Sequence, residues 1–162
     1  MFKLFIKFTC LEMTTLRPFR VADLFKFNRI NFDPLTETYG TSFYFHYFAK
    51  WPDYFTVAEN ASSGKMMGYI MGKSEGINEK WHGHVTAVTV TPDCRKIGLA
   101  NTMMRELENI SDNRDCKFVD LYVRSSNKQA IKFYEKMGYF VYQTVRDYYT
   151  SLDDPDDTED AY

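Results

Sequence analysis

Apolar residues recur along this chain with two spacings, one typical of helices and one typical of strands. Val21, Leu24 and Phe27 follow one another at helical steps, and this helix should end before Pro34, because the residue before proline disfavours the α conformation. In chain order we predict a strand at 14–19, helices at 20–31 and 43–50, strands at 54–59, 66–73 and 82–91, a helix at 98–113, a strand at 117–123, a helix at 127–137 and a strand at 139–149. This order predicts an α/β fold with a mixed sheet.

Charge is distributed unevenly between the body of the chain and its C-terminus. Six acidic residues lie between Asp153 and Asp160, so the formal charge of −2 for the whole chain leaves +4 for the rest. Such a segment buries too little apolar surface to order itself, and we predict an acidic, flexible tail at 151–162. The 162 residues, 44% of them hydrophobic, suffice for one globular domain, predicted at 13–150 after an N-terminal appendage at 1–12.

Composition also argues against several partners and cofactors. The three cysteines, Cys10, Cys94 and Cys116, form no CxxC motif and no metal-ligand spacing. We therefore predict reduced thiols, no bound metal and a cytoplasmic protein, with the nucleus left open. The sequence has no cluster of lysine and arginine residues, so we predict no direct nucleic-acid partner. The apolar N-terminal run is interrupted by Lys3 and Lys7 and is too short to span a bilayer, so no membrane partner is predicted.

The most informative segment joins a predicted strand to a predicted helix. Arg95 and Lys96 lie in the turn, and Gly98 and Ala100 open the helix. The first N–H groups of a helix have no partner within it and carry a partial positive charge, which favours phosphate. Gly98 lacks a Cβ, so a pyrophosphate can approach the backbone. Taken alone, such a glycine serves helix packing equally well, but its place between this strand and this helix favours an anion site.

Two motifs in the right order resemble the signatures of the GNAT acetyltransferase superfamily. The first is R-x-x-G-x-A at 95–100, and the second is N-x-x-A-x-x-F-Y-x-x-x-G-Y at 127–139. The segments 33–40, 81–87 and 146–149 further resemble the catalytic subunits of N-terminal acetyltransferase B. The resemblance implies acetyl-CoA as cosubstrate and the GNAT fold: a mixed, mostly antiparallel sheet with flanking helices and splayed central parallel strands.

The resemblance also implies an activity and roles for individual residues. The reaction would be acetyl transfer, in a ternary complex, to the α-amine of proteins that begin Met-Asp, Met-Glu, Met-Asn or Met-Gln. Backbone N–H groups near Val88 and Val90 would hold the acetyl carbonyl. Tyr134 would reach the CoA sulfur, where a phenol can protonate the leaving thiolate, and Asn127 would touch the pantetheine or an ordered water. From the residues alone, Tyr134 can equally be a core tyrosine and Asn127 a helix N-cap.

Two histidines lie on the strand predicted before the turn. His84 and Thr86 are two residues apart, which places their side chains on one face of a regular strand. Histidine has the side chain whose ordinary pKa lies nearest physiological pH, so His84 is a candidate either to take the amine's proton or to hydrogen-bond the substrate. His82 points the same way and is interpreted as structural.

Four further residues match the family's peptide site. Glu37 and Tyr39 lie on a predicted loop, where function is often carried, and would line the peptide entrance. Tyr148 and Tyr149 match paired tyrosines that hold the substrate backbone. Because neighbours on a strand face opposite sides, one of the two would be left for packing.

The helix at 43–51 is aromatic over a wide part of its surface, which indicates either a thick core or a permanent partner. The resemblance implies a large helical auxiliary subunit that anchors the enzyme at ribosomes, where it meets nascent protein N-termini. Two other functions are left open, namely a GNAT enzyme for a small amine or a lysine, and a CoA-binding scaffold subunit without activity. The presence of Tyr134 and of the basic turn argues against an inactive scaffold subunit.

Overall fold

The computed structural model describes residues 14–31, 36–150 and 158–162. They form two compact units, one up to Val119 and one from Asp120 onward. In chain order the helices and strands are β1 (Thr14–Pro18), α1 (Asn28–Asn31), α2 (Thr41–Lys50), β2 (Phe55–Asn60), β3 (Met66–Glu75), β4 (His82–Val90), α3 (Leu99–Asp112), β5 (Val119–Leu121), α4 (Lys128–Met137), β6 (Val145–Thr150) and β7 (Thr158–Ala161).

The main sheet has five strands in the order β1-β2-β3-β4-β5. The first four strands each pair antiparallel with their neighbours. Next to β4, Lys117 donates its N–H to the carbonyl of Trp81 at 2.8 Å, and Gly83 donates to the carbonyl of Phe118 at 3.0 Å. These two segments therefore run in the same direction. The predicted mixed, mostly antiparallel sheet is confirmed, whereas a splay between parallel strands stays a prediction.

Aromatic rings fill the core on the face of the sheet that α1 and α2 cover. The rings of Phe19 and Phe55 stack with centroids 3.9 Å apart, and those of Phe27 and Tyr69 stack at 4.5 Å. Such pairs add about 0.5–1.5 kcal/mol each beyond the burial of their area. Much of the aromatic character of the sequence therefore serves this core.

The helix α3 packs on the opposite face of the sheet, against β3 and β4. A Cβ at Gly72 would lie 2.6 Å from a methyl carbon of Leu107, and one at Gly83 would lie 2.1 Å from the hydroxyl of Ser111. Glycine at these two positions lets the helix approach the strands closely. This close packing holds the C-terminal half of α3 against the two strands.

The helix predicted at 20–31 is interrupted in the structure. A 3₁₀ helix spans Val21–Lys26, and a single α turn, α1, follows it. The buried carboxylate of Asp23 accepts hydrogen bonds from the guanidinium of Arg17 at 2.7 Å and from the backbone N–H of Arg20 at 2.8 Å. These bonds hold the first turns in a tighter helix than the apolar spacing indicates.

Two predicted strands are shorter than the apolar pattern indicates. β5 is three residues long, although the prediction covers 117–123. The strand predicted at 139–149 pairs only as β6 (Val145–Thr150). Before it, Phe140 and Tyr142 are 79% and 88% exposed. Apolar side chains here do not coincide with a buried strand.

The end of the chain is ordered by backbone pairing. Residues Thr158–Ala161 form β7, which pairs antiparallel with β6. Tyr162 also exchanges two hydrogen bonds of 3.0 Å with the backbone of Val123. Glu159 accepts from the N–H of Ser126 at 2.6 Å, and hydrogen bonding to Ser126 is the largest of the effects that lower the pKa of Glu159 to about 2. The prediction of a flexible tail is therefore wrong for these last residues.

Several other predictions fall outside the described residues. These are the appendage at 1–12, the helix end before Pro34 and the part of the acidic tail at 151–157. The proposed domain boundaries also stay a prediction. Within the described ranges, no helix combines the length and the apolar character needed to cross a bilayer.

Candidate functional site

The turn between β4 and α3 has the backbone geometry of an anion site. After a 3₁₀ turn at Pro92–Cys94, Lys96 and Gly98 both adopt left-handed conformations, with φ of 62° and 92°. α3 begins at Leu99, and no side chain caps its N-terminus. Its first N–H groups therefore lack intrahelical partners, and the helix dipole adds partial positive charge at the same place.

Side chains make this turn more positive. Lys96 is exposed, and the half-buried Arg95 donates from Nε to the carbonyl of Val90 at 3.0 Å. The carboxylate of Asp93 lies 2.5 Å from the ammonium of Lys65, and this bond is the main cause that lowers the pKa of Asp93 to about 2. The acidic side chain of the turn is thus neutralised by its own partner, and the two basic side chains set the local charge.

A β-bulge shapes β4 close to two predicted substrate residues. The register between β3 and β4 shifts at Met71/Gly72, so Thr86 has no cross-strand partner on β3. The shared face expected for His84 and Thr86 depends on regular alternation, which the bulge interrupts. Bulges occur often beside active sites, where they change the direction of a side chain.

Two tyrosines from different elements fix Thr86. Its hydroxyl donates to the hydroxyl of Tyr47 on α2 at 2.9 Å. The hydroxyl of Tyr39 donates to the backbone carbonyl of Thr86 at 3.3 Å, and the ring of Tyr39 stacks on Phe43. Tyr39 and Thr86, both predicted as substrate residues, therefore lie together. Sequence reasoning missed Tyr47, and no signal in the sequence pairs it with Thr86.

The loop that carries Glu37 and Tyr39 is attached to β4 at two points. Besides the bond from Tyr39, the hydroxyls of Thr36 and Thr89 hydrogen-bond each other at 3.0 Å. Glu37 lies between these two attachments and is exposed. The loop is therefore held beside β4 by both bonds.

His84 is buried on β4, with 9% of its surface exposed. Its cross-strand neighbour on β3 is Lys73, and the neighbour of His82 is Glu75. The ring of His82 stacks on Phe118, with centroids 4.8 Å apart and an interplanar angle of 5°. This packing fits the interpretation of His82 as structural, but both imidazoles also lie close to a carboxylate.

In the second unit, Asn127 immediately precedes α4 and Tyr134 lies on it. Oδ1 of Asn127 accepts from the N–H of Ala130 at 3.0 Å, so Asn127 is the N-cap of the helix. Gly138 ends the helix with φ of 99°, as a left-handed C-cap. Burial raises the pKa of Tyr134 to about 12. Its phenol is therefore protonated at neutral pH, as a general acid has to be.

The paired tyrosines of β6 do not face opposite sides of the strand. Tyr148 and Tyr149 touch edge to face with centroids 4.9 Å apart. Tyr148 stacks on Tyr122, and the guanidinium of Arg124 lies 4.2 Å from the ring centre of Tyr149. A bulge in β6 and a left-handed Asp147, at φ of 52°, break the alternation and bring the two rings together.

The structure therefore distributes the predicted site residues over three places. Those on β4, the turn after it and the first turn of α3 are His84, Thr86, Val88, Val90, Arg95, Lys96, Gly98 and Ala100. Those on the loop beside β4 are Glu37 and Tyr39, and those of the second unit are Asn127, Tyr134, Tyr148 and Tyr149. The sequence profile of the acetyltransferase (GNAT) family matches residues 23–139, which include the turn and α4. The chain belongs to the GNAT family.

This GNAT chain is similar over most of its length to characterised relatives. It is 55% identical, over 143 residues, to the N-terminal acetyltransferase B complex catalytic subunit NAA20 of Arabidopsis thaliana, an alignment that covers 88% of this chain and 82% of the relative. It is 53% identical, over 140 residues, to the corresponding subunit of Schizosaccharomyces pombe, with coverages of 86% and 78%. The predicted N-terminal acetyltransferase activity is thereby confirmed.

Solved structures of related acetyltransferases are also similar to this chain. Chaetomium thermophilum Naa20 in complex with a bisubstrate analogue has a TM-score of 0.85 and 46% identity, and the match covers 91% of this chain and 83% of that one. A NatB acetyltransferase complex bound to CoA and MES has a TM-score of 0.81 and 39% identity, with coverages of 91% and 95%. This GNAT member is an N-terminal acetyltransferase of the NatB catalytic-subunit type.

Proposed function

We propose that this chain transfers the acetyl group of acetyl-CoA to the α-amine of protein N-termini that begin Met-Asp, Met-Glu, Met-Asn or Met-Gln. The observation that carries the proposal is the 55% identity, over 88% of the chain, to a catalytic subunit of N-terminal acetyltransferase B. Relatives solved with CoA or with a bisubstrate inhibitor support acetyl-CoA as the cosubstrate.

The pyrophosphate of CoA is assigned to the turn before α3. Uncapped N–H groups, the left-handed Gly98 and the charges of Arg95 and Lys96 fit a diphosphate. With φ of 92° at Gly98, a side chain at this position would strain the backbone and approach the ligand. The turn therefore supplies binding energy at a distance from the reacting atoms.

The acetyl carbonyl is assigned to the edge of β4 that faces away from β3. The N–H of Thr91 points toward β3, where it donates to the carbonyl of Met67 at 2.9 Å. Because N–H groups alternate sides along a strand, those of Val88 and Val90 point to the other edge. Donors fixed in the backbone need no reorganisation when charge develops on a carbonyl oxygen, so they suit an oxyanion-type role.

Two side chains are assigned to proton transfer. Acetyl-CoA, when bound, supplies an activated thioester whose sulfur leaves as a thiolate. Tyr134, protonated at neutral pH because burial raises its pKa to about 12, is the proposed donor to that thiolate. His84 is the proposed acceptor of the amine's proton, directly or through a water. Asn127 is proposed to contact the pantetheine while it caps α4.

The substrate peptide is assigned to the polar groups beside β4. Glu37 and Tyr39 lie on a loop attached to β4, and the hydroxyls of Thr86 and Tyr47 bond each other beside it. Hydroxyl and imidazole groups can donate to a carboxylate and to an amide oxygen alike, which suits an acidic or amide second residue. Tyr148 and Tyr149 are proposed to hold the peptide backbone.

The decisive test is acetyl transfer by the full chain to a panel of short peptides. We expect kcat/KM to be at least about 10-fold higher for Met-Asp and Met-Glu peptides than for Met-Lys or Ser-starting peptides, because the pocket hydrogen-bonds the second side chain. Thiol release from acetyl-CoA is the readout, and a Met-Asp peptide with a blocked N-terminus and one internal lysine is the control. Preference for Met-Lys would contradict the substrate class, and transfer only to the blocked peptide's lysine would favour the lysine-acetylating alternative.

A large helical auxiliary subunit is the proposed permanent partner, through which the enzyme works in the cytoplasm at ribosomes. Solved relatives in this family are named as complexes. On this chain, the interior side of α2 is occupied by the core, but Phe25 and Phe45 are 85% and 43% exposed. Exposed aromatic side chains are typical of protein interfaces.

A matched pair of variants tests this surface. Phe25→Asp is expected to weaken association with the auxiliary subunit by about 10-fold or more, because it removes an apolar anchor and places a charge in the interface. Phe140→Asp, at an equally exposed phenylalanine of the second unit, is the control and should bind normally. Association is measured by co-purification and by calorimetric titration; equal binding by both variants would place the partner elsewhere.

A further inference from the structure

In contrast to the sequence-based prediction of no bound metal, we propose that Glu75, His82 and His84 form a binding site for a divalent zinc ion on the first unit. One ligand atom from each of the three side chains lies within 4.8 Å of the other two. Two imidazoles and one carboxylate are a ligand set that zinc accepts, with water in the fourth position. The three residues come from β3 and β4, so the site is built on a rigid hairpin.

Strand pairing accounts for the grouping. Glu75 pairs with His82 across the two strands, and His84 lies two residues further along β4, before the bulge. Cross-strand partners, and residues two apart on one strand, share a face of a sheet. The carboxylate and both imidazoles are therefore directed to one side of the hairpin by the backbone itself.

The three ligand atoms, all within 4.8 Å of one another, have to move closer together to suit zinc, no pair by more than about 1.4 Å. Nε2 of His82 lies 3.9 Å from Oε1 of Glu75. Zinc–ligand bonds of about 2.0–2.2 Å at tetrahedral angles set the ligand atoms about 3.4 Å apart. This pair therefore has to close by about 0.5 Å, a change that small side-chain rotations provide.

His82 is already oriented as a ligand. Its Nδ1 lies 2.7 Å from the carbonyl of Lys80, an oxygen that can only accept, so the neutral ring carries its proton on Nδ1. The lone pair is then on Nε2, the atom that faces Glu75. Metal-bound histidines commonly donate their other N–H to a backbone carbonyl, and stacking on Phe118 adds a fixed ring plane.

The charge of Lys73 tunes the site. Its ammonium donates to Oε2 of Glu75 at 2.7 Å, which leaves Oε1 on the side of His82. A positive charge so close lowers the affinity for a cation, and its removal should raise that affinity. The side chains of Glu75 and His82 are 42% and 15% exposed, so an ion in solution can reach them.

Zinc at this site would also compete with catalysis. His84 is the proposed acceptor of the amine's proton, and a coordinated imidazole has no lone pair for a proton. The expected inhibition of acetyl transfer by zinc rests on the proposed function, whereas the expected binding of zinc does not.

Binding is tested on the full 162-residue chain, freed of metal with a chelator, by calorimetric titration with Zn²⁺ and by the visible absorption of bound Co²⁺. We expect one ion per chain. His82→Phe, which keeps the ring stacked on Phe118, and Glu75→Gln should each weaken binding by about 10- to 100-fold or more. Lys73→Met should tighten it. The chain has three histidines, and His46→Phe, at the exposed histidine of α2, is the control that should bind zinc normally.

The outcomes separate the site from the proposed function. Normal zinc binding by both His82→Phe and Glu75→Gln, or loss of binding in Cys10→Ser or Cys116→Ser instead, would overturn the site. If His82→Phe fails to fold, as judged by circular dichroism, the other two variants still test the site. Zinc binding should be weaker in Glu75→Gln and tighter in Lys73→Met. Zinc that binds as expected without inhibiting acetyl transfer would support the site and contradict the role of His84.

Discussion

Tyr134→Phe is expected to lower kcat for peptide acetylation by about 10²- to 10⁴-fold, the range that a general acid or base contributes. The substitution removes only the hydroxyl, so the fold and the binding of CoA should persist, and KM values should change little. Steady-state rates of thiol release with a Met-Asp peptide measure the effect. Tyr142→Phe is the matched control, since Tyr142 is 88% exposed in the same unit and should retain full activity.

The pH dependence of the same reaction checks the protonation state of Tyr134. Burial raises its pKa to about 12, so the phenol keeps its proton across the neutral and moderately alkaline range. Loss of the acid is therefore expected only as the pH approaches that value, and the basic limb of the wild-type profile should not show a decline near pH 10. A Tyr134→Phe enzyme with near wild-type kcat would show that another group protonates the thiolate.

Arg17→Met is expected to lower the free energy of unfolding by about 3–5 kcal/mol, the cost of leaving a buried charge without its partner. Arg17 donates to both carboxylate oxygens of Asp23, at 2.7 and 2.8 Å, and to Glu59 at 2.8 Å. The side chains of Arg17 and Asp23 are only 10% and 2% exposed. Urea unfolding measures the change, and Arg105→Met, at a surface pair with Glu108, should cost no more than about 1 kcal/mol.

The same cluster predicts how wild-type stability responds to acid. Burial alone would raise the pKa of Asp23, but the hydrogen bonds from Arg17 and Arg20 lower it below its ordinary value, and Arg17 likewise lowers the pKa of Glu59. A carboxylate whose pKa is lower in the folded than in the unfolded state stabilises the fold at pH values above its ordinary pKa. This stabilisation is lost as the pH falls. Arg17→Met should therefore flatten the acid dependence; an unchanged slope would show that other groups cause it.

Most elements of the first unit can be predicted from the sequence because each buries one face, which gives it a regular apolar spacing. The positions of β2, β3, β4 and α3 follow from apolar spacing and from turn residues. The helix at 20–31 is predicted wrongly because the ion pair of Asp23 with Arg17 is a tertiary contact that local spacing does not report. The end of the chain is predicted wrongly because Glu159 finds hydrogen-bond donors in a loop more than thirty residues earlier.

The candidate site, too, can be predicted from the sequence only in part. The anion turn is visible in the sequence because a strand end, basic residues and Gly98 are adjacent along the chain. The grouping of Glu75 with His82 and His84 depends on the register of a hairpin, and the contact of Thr86 with Tyr47 depends on a bulge and on the packing of α2. Neither is encoded in local spacing, so only the structure brings these residues together.

A crystal structure of the chain with bound CoA would locate the pyrophosphate and the sulfur in one experiment. We expect pyrophosphate oxygens within hydrogen-bond distance of the backbone N–H groups between Gly98 and Asn101, and the CoA sulfur beside the hydroxyl of Tyr134. A pyrophosphate bound away from this turn, or a sulfur out of reach of that phenol, would contradict the proposed cofactor site.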